Sequence, residues 1–81
     1  MKIQWLMPTE HEVKLGVILC GNFRAENRGK YGVIRDTKFG YNTVRVDWER
    51  TDTDPVEQAN VLATLLTLTQ VKYEQMRDTH E

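Results

Sequence analysis

Residues Val13 to Ile34 read VKLGVILCGNFRAENRGKYGVI. Val13, Leu15, Val17 and Leu19 recur at every second position, and a strand sends alternate side chains to one face. Gly21-Asn22 follows, a pair suited to a turn because glycine accepts positive φ and asparagine tolerates it. A polar loop, Asn22 to Arg28, leads to Gly29-Lys30-Tyr31-Gly32-Val33-Ile34, where two glycines bracket the start of another strand. The spacing predicts strands over Val13 to Cys20 and Tyr31 to Asp36, joined by a basic loop.

The same logic extends outward. Lys2 to Met7 alternates, with Ile3, Trp5 and Met7 on one face, until Pro8 ends it, since proline cannot donate to a central ladder. Thr37 to Asn42 supplies a turn. Asn42 to Glu49 then places Val44, Val46 and Trp48 on one inward face. Trp5 and Trp48 are both in phase with aliphatic neighbours, so both are expected in the core.

Beyond Arg50 the pattern changes. Asp54-Pro55-Val56-Glu57 is a helix start: Asp54 can accept bonds from orphan amides, Pro55 suits the first turn, and Glu57 completes a capping box. Val56, Ala59, Leu62, Leu66, Thr69, Tyr73 and Met76 form a stripe at helical spacing, widened by Val61, Leu65 and Leu68. A helix apolar over so much of its circumference wants two neighbours: its own sheet and a second chain, which implies a homo-oligomer. Leu66 to Tyr73 is also rich in β-branched residues and reads as a fifth, barrel-closing strand. The absence of glycine or proline from Ala59 to Leu68 favours the longer helix. The fold expected is α+β and mainly β: a small antiparallel barrel followed by a carboxy-terminal helix. One domain spans residues 1–81, with strands in 1–50 and the helix in 54–77.

A strand, a turn glycine, a basic loop, Gly-Lys-x-Gly and a second strand together resemble the KOW motif of ribosomal proteins and transcription elongation factors. The likeness covers about a quarter of the chain, and its loop, Asn22 to Arg28, is longer than is usual in the family. It implies a five-stranded barrel of the Src-homology-3 type and a contact loop at Phe23 to Lys30.

The chain of 81 residues carries a net charge of −1 with an uneven distribution. From Asn22 to Arg50 seven bases face four acids, whereas Thr51 to Glu81 holds six acids and two bases. A basic middle beside an acidic tail suits an anionic partner, although a dedicated duplex binder is usually more basic overall. The single cysteine, Cys20, cannot form an internal disulfide, and the amino terminus lacks a signal-peptide core; a cytoplasmic setting is expected. No segment approaches the ~20 apolar residues of a membrane span.

No catalytic constellation is visible. The chain has no serine, His11 and His80 lie far apart, and no metal-ligand spacing such as Cys-x-x-Cys occurs. Neither catalytic residues, a metal nor a cofactor is expected. Aromatics interleave instead with bases. Phe23, Arg24, Arg28, Lys30, Tyr31, Lys38 and Tyr41 form the candidate binding set, suited to a protein interface or to stacking on unpaired bases. The reading preferred from sequence is a small non-enzymatic module that docks on a larger protein complex. Its size and plan look like those of a phage or bacterial accessory or inhibitor protein. The KOW resemblance supplies the alternative, an RNA- or DNA-binding protein of the transcription or translation machinery.

Overall fold

A computed structural model describes residues 1–9, 12, 19, 21–52 and 54–78. Four strands appear among them: β1 (Lys2–Trp5), β2 (Phe23–Asn27), β3 (Tyr31–Asp36) and β4 (Asn42–Asp47). A short 3-10 turn, Arg50–Asp52, leads into helix α1 (Pro55–Asp78). The sheet is antiparallel in the order β1-β4-β3-β2. The mainly-β plan with a carboxy-terminal helix therefore holds.

The expected closed barrel does not: among the described residues the sheet is open. Residues 66–73, the candidate closing strand, are helical. Their β-branched threonines are accommodated because each hydroxyl finds a carbonyl one turn back. Thr67 donates to the Ala63 carbonyl at 3.1 Å and Thr69 to that of Leu65 at 2.7 Å, the local bond that lets threonine sit in a helix. The strand expected over Val13 to Cys20 lies outside the described residues apart from Leu19, which is buried.

The loop expected at Asn22 to Arg28 is instead mostly strand. Phe23 and Ala25 alternate with Arg24 and Glu26, and this polar stretch pairs residue for residue with β3, from Phe23 opposite Asp36 to Asn27 opposite Gly32. The turn is confined to three residues. Gly29 takes φ +92° there, a conformation that a Cβ would disfavour. The Asn27 side chain accepts the Gly29 N–H at 3.0 Å, and the Arg28 N–H reaches the Tyr31 carbonyl at 2.8 Å.

Register defines two faces. On the inner face Ala25, Ile34, Val44 and Trp5 lie in one cross-strand row, and Asn27, Gly32, Val46 and Ile3 in the next. Ile34, Val44 and Val46 form the core with Leu62 and Leu65 of α1, flanked by Phe23, Ala25, Trp48, Val61 and Leu66. A bulge between Ile34 and Arg35 inserts Thr43 into β4. Thr43 and Val44 are both buried, and the Thr43 hydroxyl donates to the Ile34 carbonyl at 2.9 Å.

Helix α1 packs mainly on β2 and β3 and less on β4, and β1 is its least covered strand. This corrects the reading of Trp5. It is 39% exposed, as is Ile3, and its ring lies 4.7 Å beneath the Lys72 ammonium. Phase alone placed Trp5 inward, but at this edge strand the helix offers the indole a lysine side chain rather than an apolar cover. Trp48 is half-buried, and its indole donates to Asn27 at 3.3 Å.

Asp54 caps the helix as expected, whereas no bond from the Glu57 side chain that would complete a capping box is present among the described residues. The Val56 N–H donates to the Asp54 carboxylate at 2.9 Å, and the Gln58 N–H reaches the Asp54 carbonyl at 3.1 Å. Asp54→Ala should cost about 1 kcal/mol, read as a lower urea midpoint with an unchanged slope. No loss of stability would show that the first turn holds without its cap.

Candidate binding face

The outer face of the sheet carries charge. Residues of one parity line it: Arg24 and Glu26 from β2, Tyr31, Val33 and Arg35 from β3, Arg45 and Asp47 from β4, Lys2 and Gln4 from β1. Arg28, at the end of β2, turns its guanidinium onto this face and bonds Glu26 at 2.5 Å. The bases are Lys2, Arg24, Arg28, Arg35 and Arg45, against the two carboxylates Glu26 and Asp47, a local excess of +3 on a chain whose net charge is −1.

The arginines fall into two kinds. Arg45 is held: its Nε and Nη2 both donate to Asp47, at 3.1 and 3.0 Å, and its guanidinium lies 4.1 Å from the Tyr31 ring centroid. The bond to Asp47 raises its pKa further. Arg28 is held by Glu26. That bond is the chief reason the Glu26 carboxyl titrates below its ordinary range; burial opposes the shift, and the charges of Arg28, Arg35 and Arg24 add to it. Glu26 thus keeps its charge into more acidic solution than an isolated glutamate would.

Arg24 and Arg35 are the second kind. They stand directly opposite each other across β2 and β3, and neither has an ion pair among the described residues. Like charges at directly opposed positions destabilise a sheet. Glu26 lies close enough to feel both, but its carboxylate is already bonded to Arg28.

The candidate set read from sequence therefore divides. Arg24, Arg28 and Tyr31 share the outer face. Lys30 is exposed in the adjoining turn, where its carbonyl accepts the Trp48 N–H at 3.2 Å. Lys38 and Tyr41 sit at the opposite end of the sheet, in the β3–β4 turn. Asp36 fixes that turn by accepting the Lys38 and Phe39 amides at 3.0 and 3.1 Å. Tyr41 is 58% exposed and lies 6.5 Å from the Phe39 ring. Phe23 leaves the set: it turns inward, edge-on to Tyr73 at 5.8 Å. The basic loop expected to gather Phe23, Arg24 and Arg28 at one point is mostly strand, and four residue steps of extended chain set the Arg24 and Arg28 backbones roughly 13 Å apart. Arg35 and Arg45 belong to the face and were absent from the set. For Arg45 the signal was available, since it falls out of phase with Val44 and Val46 of its own strand; Arg35 shares the parity of the buried Val33, so phase did not mark it.

Comparison with protein families, with curated proteins and with solved structures finds no match to this chain. Among the described residues no three His, Cys, Asp or Glu side chains are grouped to hold a metal ion, and no helix is long and apolar enough to cross a membrane.

Proposed function

We propose that this chain is a non-catalytic binding module that docks through the outer face of its sheet on an acidic surface of a larger protein. The observation that carries the reading is the opposed pair Arg24 and Arg35. Two guanidiniums held a strand apart, with no ion pair among the described residues, gain most from a carboxylate supplied by a partner, because arginine presents a planar fork of donors. Tyr31 and Arg45 beside them are residues favoured as interface anchors. The setting proposed is cytoplasmic, and the role that of an accessory or inhibitor protein.

A nucleic-acid partner, the reading that the KOW resemblance implies, fits this face less well. Glu26 and Asp47 already occupy two of its arginines and would repel phosphates. A chain of net charge −1 also gains little long-range attraction to a polyanion.

The test uses one substitution with two opposite effects. Arg24→Glu should place unlike charges opposite each other and raise stability by about 0.2–1 kcal/mol. The same change should weaken docking at least tenfold, which is about 1.4 kcal/mol. Melting curves give the first effect. Amide-shift titration with a glutamate-rich peptide gives the second, with perturbations centred on Arg24, Tyr31 and Arg35. Saturable binding of mixed-sequence RNA or DNA at physiological salt, with affinity falling steeply as salt rises, would replace the protein partner by nucleic acid. Undiminished peptide binding by Arg24→Glu would remove the face altogether.

A further inference from the structure

The inner face, opposite the arginines, is incomplete. Four strands at ~4.8 Å spacing make a sheet roughly 19 Å across, and a helix with its side chains is ~10 Å wide. One helix covers about half of such a sheet, and α1 sits on the β2–β3 half. Beside it runs a groove of about 320 Å³, lined by Ile3 of β1 and by Val61, Thr64, Leu65 and Leu68 of α1. It continues past Asn60 into a second hollow of about 240 Å³ against Trp48.

The helix that flanks it has an unusual exposed side. Residues 58–71 of α1, QANVLATLLTLTQV, contain no charged residue. At the 28% charged content of the whole chain, about four would be expected. The outward positions Ala63, Thr67, Leu68 and Val71 are all solvent-exposed, Leu68 at 43% and Val71 at 44%. An exposed helix normally carries its charges on that side. Here they are confined to the ends, at Glu57 and from Lys72 onward.

We infer that the groove between β1 and α1 is filled by α1 of a second copy of this chain. The occupant has to be uncharged, because an unpaired charge in an apolar groove is strongly disfavoured. This chain presents such a face over residues 58–71; of the charged groups at the groove, Glu57 lines only the Trp48 hollow, and the Met1 ammonium is paired with Glu49. The arrangement is isologous: each helix lies in the other copy's groove, and the four strands of each copy close the assembly from opposite sides. The outer arginine face stays open in the dimer, so the inference stands apart from the proposed docking function.

Sedimentation equilibrium of the full chain between about 1 and 100 μM should give a dimer of twice the 9.5 kDa chain mass. The pair Thr64→Glu and Leu68→Glu, both at exposed sites, should shift it to monomer, raising the dissociation constant at least a hundredfold, while circular dichroism shows an unchanged helix content. Isotope-filtered spectra of a mixed-labelled dimer should connect the Val71 methyls of one copy to Ile3 of the other. A wild-type monomer throughout that range overturns the inference. So does a dimer that survives both glutamates, or one whose contacts between copies join Ile3 to Trp5 without reaching α1, the signature of pairing between two β1 edges.

Discussion

Replacing Ile34 by alanine is expected to remove about 2–5 kcal/mol of stability. Ile34 is fully buried at the middle of β3, where sheet and helix meet. The surrounding groups cannot collapse into the void: Val44 faces Ile34 across the ladder, and the Thr43 hydroxyl ties its carbonyl to the bulge. A domain of this size starts from a small reserve, since typical stabilities are only about 5–15 kcal/mol. At roughly 4–8 °C per kcal/mol for such a chain, the melting temperature should fall by about 10–30 °C. A loss below 5 °C would mean that this position is not at the centre of the core.

Valine in place of Gly32 is the second large effect, and two contributions of opposite sign compete there. A glycine inside a strand costs about 0.5–1 kcal/mol relative to alanine through backbone entropy, so any side chain brings a gain. Sterics oppose it. A Cβ on Gly32 would stand 2.7 Å from Leu62 Cδ2, 3.1 Å from Trp48 Cζ2 and 3.2 Å from Val46 Cγ1. Leu62 and Val46 are themselves buried, so neither can swing aside. Overpacking by a methylene or two typically costs about 1–3 kcal/mol, which exceeds the entropic gain, and the two further methyls of valine add to it. Gly32→Val should therefore destabilise by at least about 2 kcal/mol, and Gly32→Ala by less. Equal or improved stability in the valine variant, measured by urea unfolding, would show that the helix does not approach the sheet at this point.

Gly32 also shows how much the sequence conveys. Strand β4 and the helix were legible because each carries a period in sequence, two across Val44, Val46 and Trp48 and between three and four in the helix, while β3 was marked by the glycine before its adjoining Val33 and Ile34. Val33 and Ile34 beside a glycine marked a strand start, but nothing in one strand says that a leucine thirty residues later will need the space above its glycine. Strand β2 was misread for a related reason. FRAEN is polar, and polar stretches beside glycines read as loops. Its extended form comes from pairing with β3 and from the Asn27 side chain, which organises the turn. Trp5 failed in the opposite direction: its phase was read correctly, but whether a phased aromatic is buried depends on which half of the sheet the helix covers. For the binding face, the residue types were read correctly and their grouping was not. Seven residues chosen for closeness along the chain resolved into an outer face, a distal turn and one core aromatic once cross-strand neighbours replaced sequence neighbours.

The Asn27 side chain has a spectroscopic consequence. It accepts from the Gly29 amide and from the Trp48 indole, and it donates to Gln58 of α1 at 2.8 Å. One carboxamide thus joins a hairpin turn, the end of β4 and the first turns of the helix, with an indole as part of the junction. The other indole, Trp5, is 39% exposed beneath a lysine. In a Trp5→Phe background, emission comes from Trp48 alone. It should shift to the red when α1 leaves the sheet and the indole meets water. The protein therefore carries its own optical gauge of helix undocking, readable in a stopped-flow instrument without a label.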